Sequence, residues 1–358
     1  MLRILALVGL SVLCALPARA DETAMAAAVN RSLNQVILPA YQAFADHAAR
    51  LQTAVNDLRT NPDATGVQAA RAAFGETAVA FSAIEAYRFG PARKDSRFER
   101  LFFWPDHRSR GYRQVMRILR DKDPRAADAS TLAAKSVAVQ GLPALAVVLF
   151  GEDSNDLASG GQAFRRQYAS AIADRIMTVS QELLDAWRGP FAVTLRTPGP
   201  DNPFVRSHGE AMQILLRSLR EQLQVVEKFK FVRITGDGQR TPNPGAAPFP
   251  GTGYSLRTTA ANLAAMSDLA DAINLESLLP EAHAHLASEF AFYLKAARGA
   301  IRDAMGAGKD WPGIVSNPEA LQRAAYAALP LQDATDLLAE RLPAALGLVA
   351  GYNALDGD

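Results

Sequence analysis

Glu281, His285 and Glu289 follow one another at four-residue intervals, so a continuous α-helix would present carboxylate, imidazole and carboxylate in one row. Such a row would suit a divalent metal, because both side-chain types are metal ligands. A site inside a helical bundle draws further ligands from a second helix, however, and no other segment supplies an evident partner. The same spacing also describes a solvated helix face with ordinary i, i+4 pairing. His283 belongs to a different face, and His47, His107 and His208 form no metal-ligand spacing; His47 and His208 read as surface or helix-start residues. The chain has no His-Glu-x-x-His and no Gly-x-Ser-x-Gly, and Cys14 is its sole cysteine, so zincin-type and nucleophilic hydrolysis find no support.

A second segment is informative for what it lacks. Residues 140–150 read Gln-Gly-Leu-Pro-Ala-Leu-Ala-Val-Val-Leu-Phe. This resembles the motif segment of the imelysin-like proteins, bacterial envelope proteins tied to iron supply, whose metal-associated form reads Gly-x-His-x-x-Glu. Gly141 matches, but Pro143 stands at the His position and Ala146 at the Glu position, and neither side chain has a donor atom. Glu85-Ala-Tyr-Arg-Phe-Gly-Pro91 and Phe102-Phe-Trp-Pro-Asp106 resemble the family's two other N-terminal signatures, in order and spacing. Tyr254-Ser-Leu-Arg257, followed by Asn262 on a helix, is similar to its second-half segment, without the acidic residue that often precedes the serine.

The resemblance covers most of the chain and implies an all-α fold and an association with iron uptake. The peptidase activity ascribed to parts of the family leans on the His and Glu that are replaced here, so the expectation is a non-catalytic protein. The alternative is a metal-dependent peptidase of the imelysin type whose ligands have moved to Glu281, His285 and Glu289, or to Asp106 and His107. The resembling segments also nominate a ligand site: Glu85, Arg88, Trp104, Asp106 and Gln140 from the first half, with Tyr254, Ser255 and Arg257 from the second. Flanked by Phe89, Phe102 and Phe103, these would form an apolar cleft with a few directed polar groups. The competing reading makes Glu85 and Arg88 an i, i+3 ion pair that pins the following loop, with Arg93, Lys94, Arg97 and Arg100 as an exposed basic stretch. No cofactor is expected from the residues themselves; iron enters through the resemblance. The expected partner is a small ligand or an envelope protein.

The first twenty residues bear on location. Arg3, an apolar run from Ile4 to Leu16 and Ala18-Arg-Ala20 describe a secretory signal peptide cleaved near Ala20, which places the mature chain in the periplasm. Removing it removes Cys14, so the exported chain holds no disulfide and no thiolate ligand. Leu13 is a poor residue for a lipoprotein signal, and Cys14 reads as part of the apolar region. No later segment offers about 18 uninterrupted apolar residues, the length needed for a spanning helix. The chain has 38 basic and 37 acidic residues, and losing Arg3 and Arg19 with the leader leaves 36 against 37, which gives no general pull toward nucleic acid.

The elements that must position these residues are helices. Apolar residues recur at i, i+3, i+4 and i+7 through alanine-rich stretches, and alternating β-branched runs are almost absent, so the fold class is all-α. The pattern predicts two four-helix-bundle-like domains whose matching order suggests duplication: residues 21–190, a linker over 191–202, and 203–358 with a long loop at 235–253. Within them, Pro39 should kink the first helix. A helix from Gly66 should end near Arg88, and one capped by Asp128 or Ser130 should reach Gln140 before a break at Gly141-Leu-Pro143. Later helices are expected from Gln162 to Trp187, from Pro203 or Ser207 to Val232, from Tyr254 to Ile273, Pro280 to Ala307, Pro318 to Ala327 and Leu331 to Asn353.

Overall fold

A computed structural model of the chain describes residues 22–308 and 310–348. The expected leader, with Cys14 and the cleavage site at Ala20, lies outside the described residues, as does the end of the last expected helix. Among the described residues the fold is all helix and turn, with no strand, and no helix is long and apolar enough to cross a membrane.

The first helical run comprises α1 (Glu22–Arg31), a wider π-helical turn (Ser32–Ile37) and α2 (Leu38–Thr60). The kink expected at Pro39 takes the form of that wider turn, in which the Leu38 N–H reaches back to the Leu33 carbonyl just before the proline. Leu33, Ile37, Tyr41, Phe44, Ala48, Leu51, Val55 and Leu58 form one buried stripe at intervals of four and three. α3 (Ala64–Ile84) starts at Asp63, whose carboxylate accepts the Gly66 N–H at 2.6 Å. α3 stops four residues before the expected Arg88.

Short helices follow: α4 (Arg97–Leu101), α5 (Arg110–Asp121) and α6 (Ala129–Leu132). Asp128 does cap α6, but the helix expected to run on to Gln140 ends after one turn. The Gln140 side-chain amide donates to the carbonyls of Leu132 (3.3 Å), Lys135 (3.0 Å) and Ser136 (3.3 Å), oxygens that a continuing helix would have given to its own N–H groups. α7 (Leu142–Phe150) then begins where a break was expected, because Pro143 occupies its first turn, the one place in a helix where proline fits without loss. Gly141 leads into it, and a Cβ there would lie 2.4 Å from the Arg100 carbonyl oxygen, so only glycine fits.

α8 (Ala163–Ala186) continues through a distorted turn at Trp187–Phe191 into α9 (Ala192–Arg196), so Gly189-Pro190 bends the chain without starting the linker, and Ala192 to Arg196 inside the expected linker are helical. Ser207 caps α10 (His208–Val225), which winds through a π-helical stretch (Val226–Val232) into α11 (Arg233–Thr235). The expected loop separates it from α12 (Ser255–Ile273). Next come α13 (His285–Ala307), α14 (Trp311–Val315), α15 (Pro318–Ala325), α16 (Ala328–Asp336) and α17 (Leu342–Ala345).

In the first half α2 packs between α3 and α8, with α7 against α3 and α8; in the second, α13 and α10 pack on α16, and α12 on α13. α12 also lies along α3 and joins the halves, and a single apolar core runs through both. α1 packs against α10 and α12, and the Arg31 guanidinium donates to the carbonyls of Ala272 (2.9 Å) and Ile273 (3.0 Å) at the C-terminal end of α12. The first helical run therefore clamps one half to the other.

Candidate functional site

Where α3 meets α12, the side chains of Glu85, Lys230, Asn262 and Gln222 are buried in apolar surroundings, with Arg88 at their partly exposed edge. Glu85, just past the end of α3, and Lys230, in the π-helical stretch after α10, are both almost fully buried. The Lys230 ammonium donates to Glu85 Oε2 and to Asn262 Oδ1, each at 2.6 Å. Asn262 Nδ2 donates to Glu85 Oε2 (3.0 Å) and to the Ser82 carbonyl (2.7 Å). Arg88 Nη2 donates to the other carboxylate oxygen, Glu85 Oε1, at 3.1 Å, and to Gln222 Oε1 at 3.4 Å. The rings of Trp104 and Phe102 lie 5.5 and 5.8 Å from the Lys230 nitrogen, and Arg88 stacks 4.7 Å over Phe98.

Burial by itself would raise the Glu85 carboxyl, but the charges of Lys230 and Arg88 and the hydrogen bonds from Lys230 and Asn262 outweigh it and hold the group below the usual carboxylate range. Burial draws the Lys230 ammonium below its ordinary value, against the pull of Glu85.

One layer away, on the other side of Trp104, lies a cavity of about 290 Å³. Its walls come from three places: the Phe103–Asp106 segment and the start of α5, the first half of α7, and the second-half loop from Gly245 to Pro250 together with Arg233 of α11. Pro143 and Ala146, the two positions where the resembling motif carries His and Glu, both line it. The loop is held over the cavity by Ser255, whose hydroxyl donates to the carbonyls of Pro248 and Phe249, and by the Trp104 indole N–H, which donates to the Ala246 carbonyl at 3.3 Å.

The residues nominated from sequence thus divide by task. Trp104 and Asp106 line the cavity; Glu85 and Arg88 form the buried junction behind it, joined by their i, i+3 ion pair although α3 has already ended. Both Asp106 oxygens are engaged, accepting the N–H groups of Gly111 (3.1 Å) and Tyr112 (3.0 Å) at the start of α5. Gln140 ties α6 to α7 and accepts from Arg100 at 3.1 Å. Tyr254 packs on Gly75, where a Cβ would come within 2.0 Å of its ring, and Arg257 pairs with Glu76 at 2.9 Å on the half-exposed surface. Arg93 and Lys94 are exposed as expected, but Arg97 and Arg100 are half-buried, Arg97 bound to Glu182 at 2.9 Å.

Sequence reasoning missed Lys230, Gln222 and Arg233. Lys230 had a signal: Leu219, Leu223, Val226, Lys230 and Ile234 form one buried stripe at helical spacing, and a lysine in that register is a core lysine.

The histidine row differs from its expected form. Glu281 belongs to a short 3₁₀ turn ending at His283, and α13 starts only at His285, so the three residues do not share one continuous helix face; Pro280 and the tight turn after it set the later start. Glu289 is bound to Arg341 (2.7 Å) and Tyr293 (3.2 Å). A larger and more open cleft of about 800 Å³ runs between α12 and α13, lined by charges of both signs, among them Asp271, Glu276, His285, Lys295 and Arg298. His107 is exposed, and His208, at the start of α10, contacts Glu22 at 2.8 Å.

The metal that the resembling motif implies does not fit the residues present. Proline and alanine offer no ligand atom, the one carboxylate on the cavity wall is committed to backbone N–H groups, and among the described residues no cluster of three or more His, Cys, Asp or Glu side chains could hold a metal.

Fold and site together define an all-α protein in which two helical halves enclose a cavity walled by the motif segment. The chain belongs to the imelysin family: the imelysin (peptidase M75) family model matches residues 37–338. Among solved structures it is similar to an imelysin-like protein from Psychrobacter arcticum 273-4, with 19% identity, a TM-score of 0.77 and coverage of 93% of this chain and 99% of that one. It is also similar to a protein described as an iron-regulated protein A precursor from Parabacteroides distasonis ATCC 8503, with 16% identity, a TM-score of 0.71 and coverage of 90% and 95%. A comparison with curated proteins finds no match.

Proposed function

We propose that this chain is a non-catalytic periplasmic member of the imelysin family, associated with iron uptake, that binds a small ligand in the cavity between its two helical halves. The observation that carries the reading is the position of Pro143 and Ala146 on the cavity wall: the motif segment still shapes a pocket, but the pocket offers packing surface where the motif would offer donor atoms. Family membership and the similarity to the iron-regulated precursor support the link to iron uptake. The sequence of the first twenty residues supports export.

Native mass spectrometry of the chain purified from a periplasmic extract tests this reading. The expected species begins at Asp21 and carries a small organic ligand that Ala146→Phe displaces, and the preparation hydrolyses no peptide with or without added iron or zinc. Cytoplasmic retention with the leader intact, or metal-dependent hydrolysis, would overturn it.

A further inference from the structure

The cavity's wall has one charge without a counterpart. Trp104, Phe103 and Phe249 supply aromatic surface, and Val115, Ala144 and Val147 supply aliphatic surface. Of the polar groups, the Trp104 N–H is already bound to Ala246, and Asp106 is bound to the first N–H groups of α5, whose partial positive charge it offsets. Ser109 and Tyr112 add only hydroxyl groups. Among the described residues Arg233 is the only cationic one on the wall, and its guanidinium makes no hydrogen bond or ion pair with any of them. This contrasts with Arg88 and Lys230 in the adjacent junction, which share the Glu85 carboxylate.

An unmatched guanidinium beside rings and aliphatic groups selects for two properties at once. Its forked donors suit a carboxylate, and the apolar walls suit a flat hydrocarbon body. A volume of about 290 Å³ limits that body to one or two fused rings. Resting on the cavity-binding reading given above, we propose that the ligand is a small aromatic carboxylate, with Arg233 as its counter-charge and the Trp104–Phe249 side of the cavity as the platform for its ring.

Isothermal titration calorimetry of the full mature chain with 1-naphthoate and its neutral analogue 1-naphthalenemethanol separates the claims. The acid should bind more tightly than the alcohol. Arg233→Gln should weaken the acid by about ten- to a hundredfold, the size of one charged hydrogen-bonded contact, and leave the alcohol unchanged, while Arg233→Lys retains part of the acid's affinity. Ala146→Phe should abolish binding of both; if that variant loses its cooperative thermal transition, Val147→Phe serves as the obstruction. Equal binding of acid and alcohol, both blocked by Ala146→Phe and indifferent to Arg233→Gln, would overturn the carboxylate assignment while leaving the cavity reading intact. Binding of neither probe overturns both. Acid binding that survives the obstruction places the anion elsewhere and overturns the proposal.

Discussion

The junction around Glu85 and the cavity beyond Trp104 are neighbours that share one indole ring, yet they treat polar groups in opposite ways. In the junction every charge is answered: Lys230 by Glu85 and Asn262, Glu85 by Lys230, Arg88 and Asn262. On the cavity wall the one acid is committed to a helix start and the one cation is left over. Both regions contain residues from the family-like segments, so membership in a signature does not by itself separate residues of the paired junction from residues that face the cavity. The bonding state of each side chain does.

The comparison can be broken most severely at the junction. Glu85→Ala leaves the Lys230 ammonium buried without its carboxylate and should cost about 3–5 kcal/mol, read as a large fall in Tm by circular dichroism. Glu85→Met with Lys230→Met removes both charges, and recovery of most of the loss would show that the cost came from the orphaned charge. Little or no loss in Glu85→Ala would mean that the junction is not the enclosed ion pair described above.

The same carboxylate sets an acid limit. Its value in the folded chain is depressed, so its contribution to stability is fully present above the unfolded value of about 4.3 and is lost as pH falls through the lower folded value. Chemical denaturation from pH 6 downward should therefore show a steeper loss in the wild type than in Glu85→Gln. Parallel curves would count against the depression.

A smaller effect tests the packing that brings the halves together. Gly75→Ala places a methyl against the Tyr254 ring and should destabilise by about 1–3 kcal/mol, a cost that Tyr254→Ala in the same chain should partly relieve. Smallest of all is Arg257→Ala, which removes a half-exposed ion pair with Glu76 and should change stability by about 0–1 kcal/mol. A larger loss there would move Arg257 out of the surface class.

Much of the helical framework was legible because buried residues recur at intervals of three and four, as in the stripe from Leu33 to Leu58. The helix ends were less so, and for identifiable reasons. Gln140 ends α6 early through side-chain bonds to carbonyls, and Pro143 opens a helix because it falls in the first turn. The need for glycine at 75 comes from Tyr254, far away in the chain, which no local pattern carries. Of the site, Trp104 and Asp106 were legible through their resemblance to a family segment. Lys230 was hidden by the habit of assigning lysines to the surface, although its place in an apolar stripe marked it. Arg233 carried no sequence signal, since what distinguishes it is the absence of a partner that only the folded chain reveals.

The motif segment walls the cavity with side chains that offer a metal no donor atom. Elemental analysis after incubation with iron or zinc and removal of excess tests it most directly, with the wild type compared to a Pro143→His, Ala146→Glu variant that restores the family's donors on the same wall. Well below one metal per chain is expected in the wild type, and a gain in the variant. One tightly held metal per wild-type chain, displaced by substitutions on the cavity wall, would contradict it.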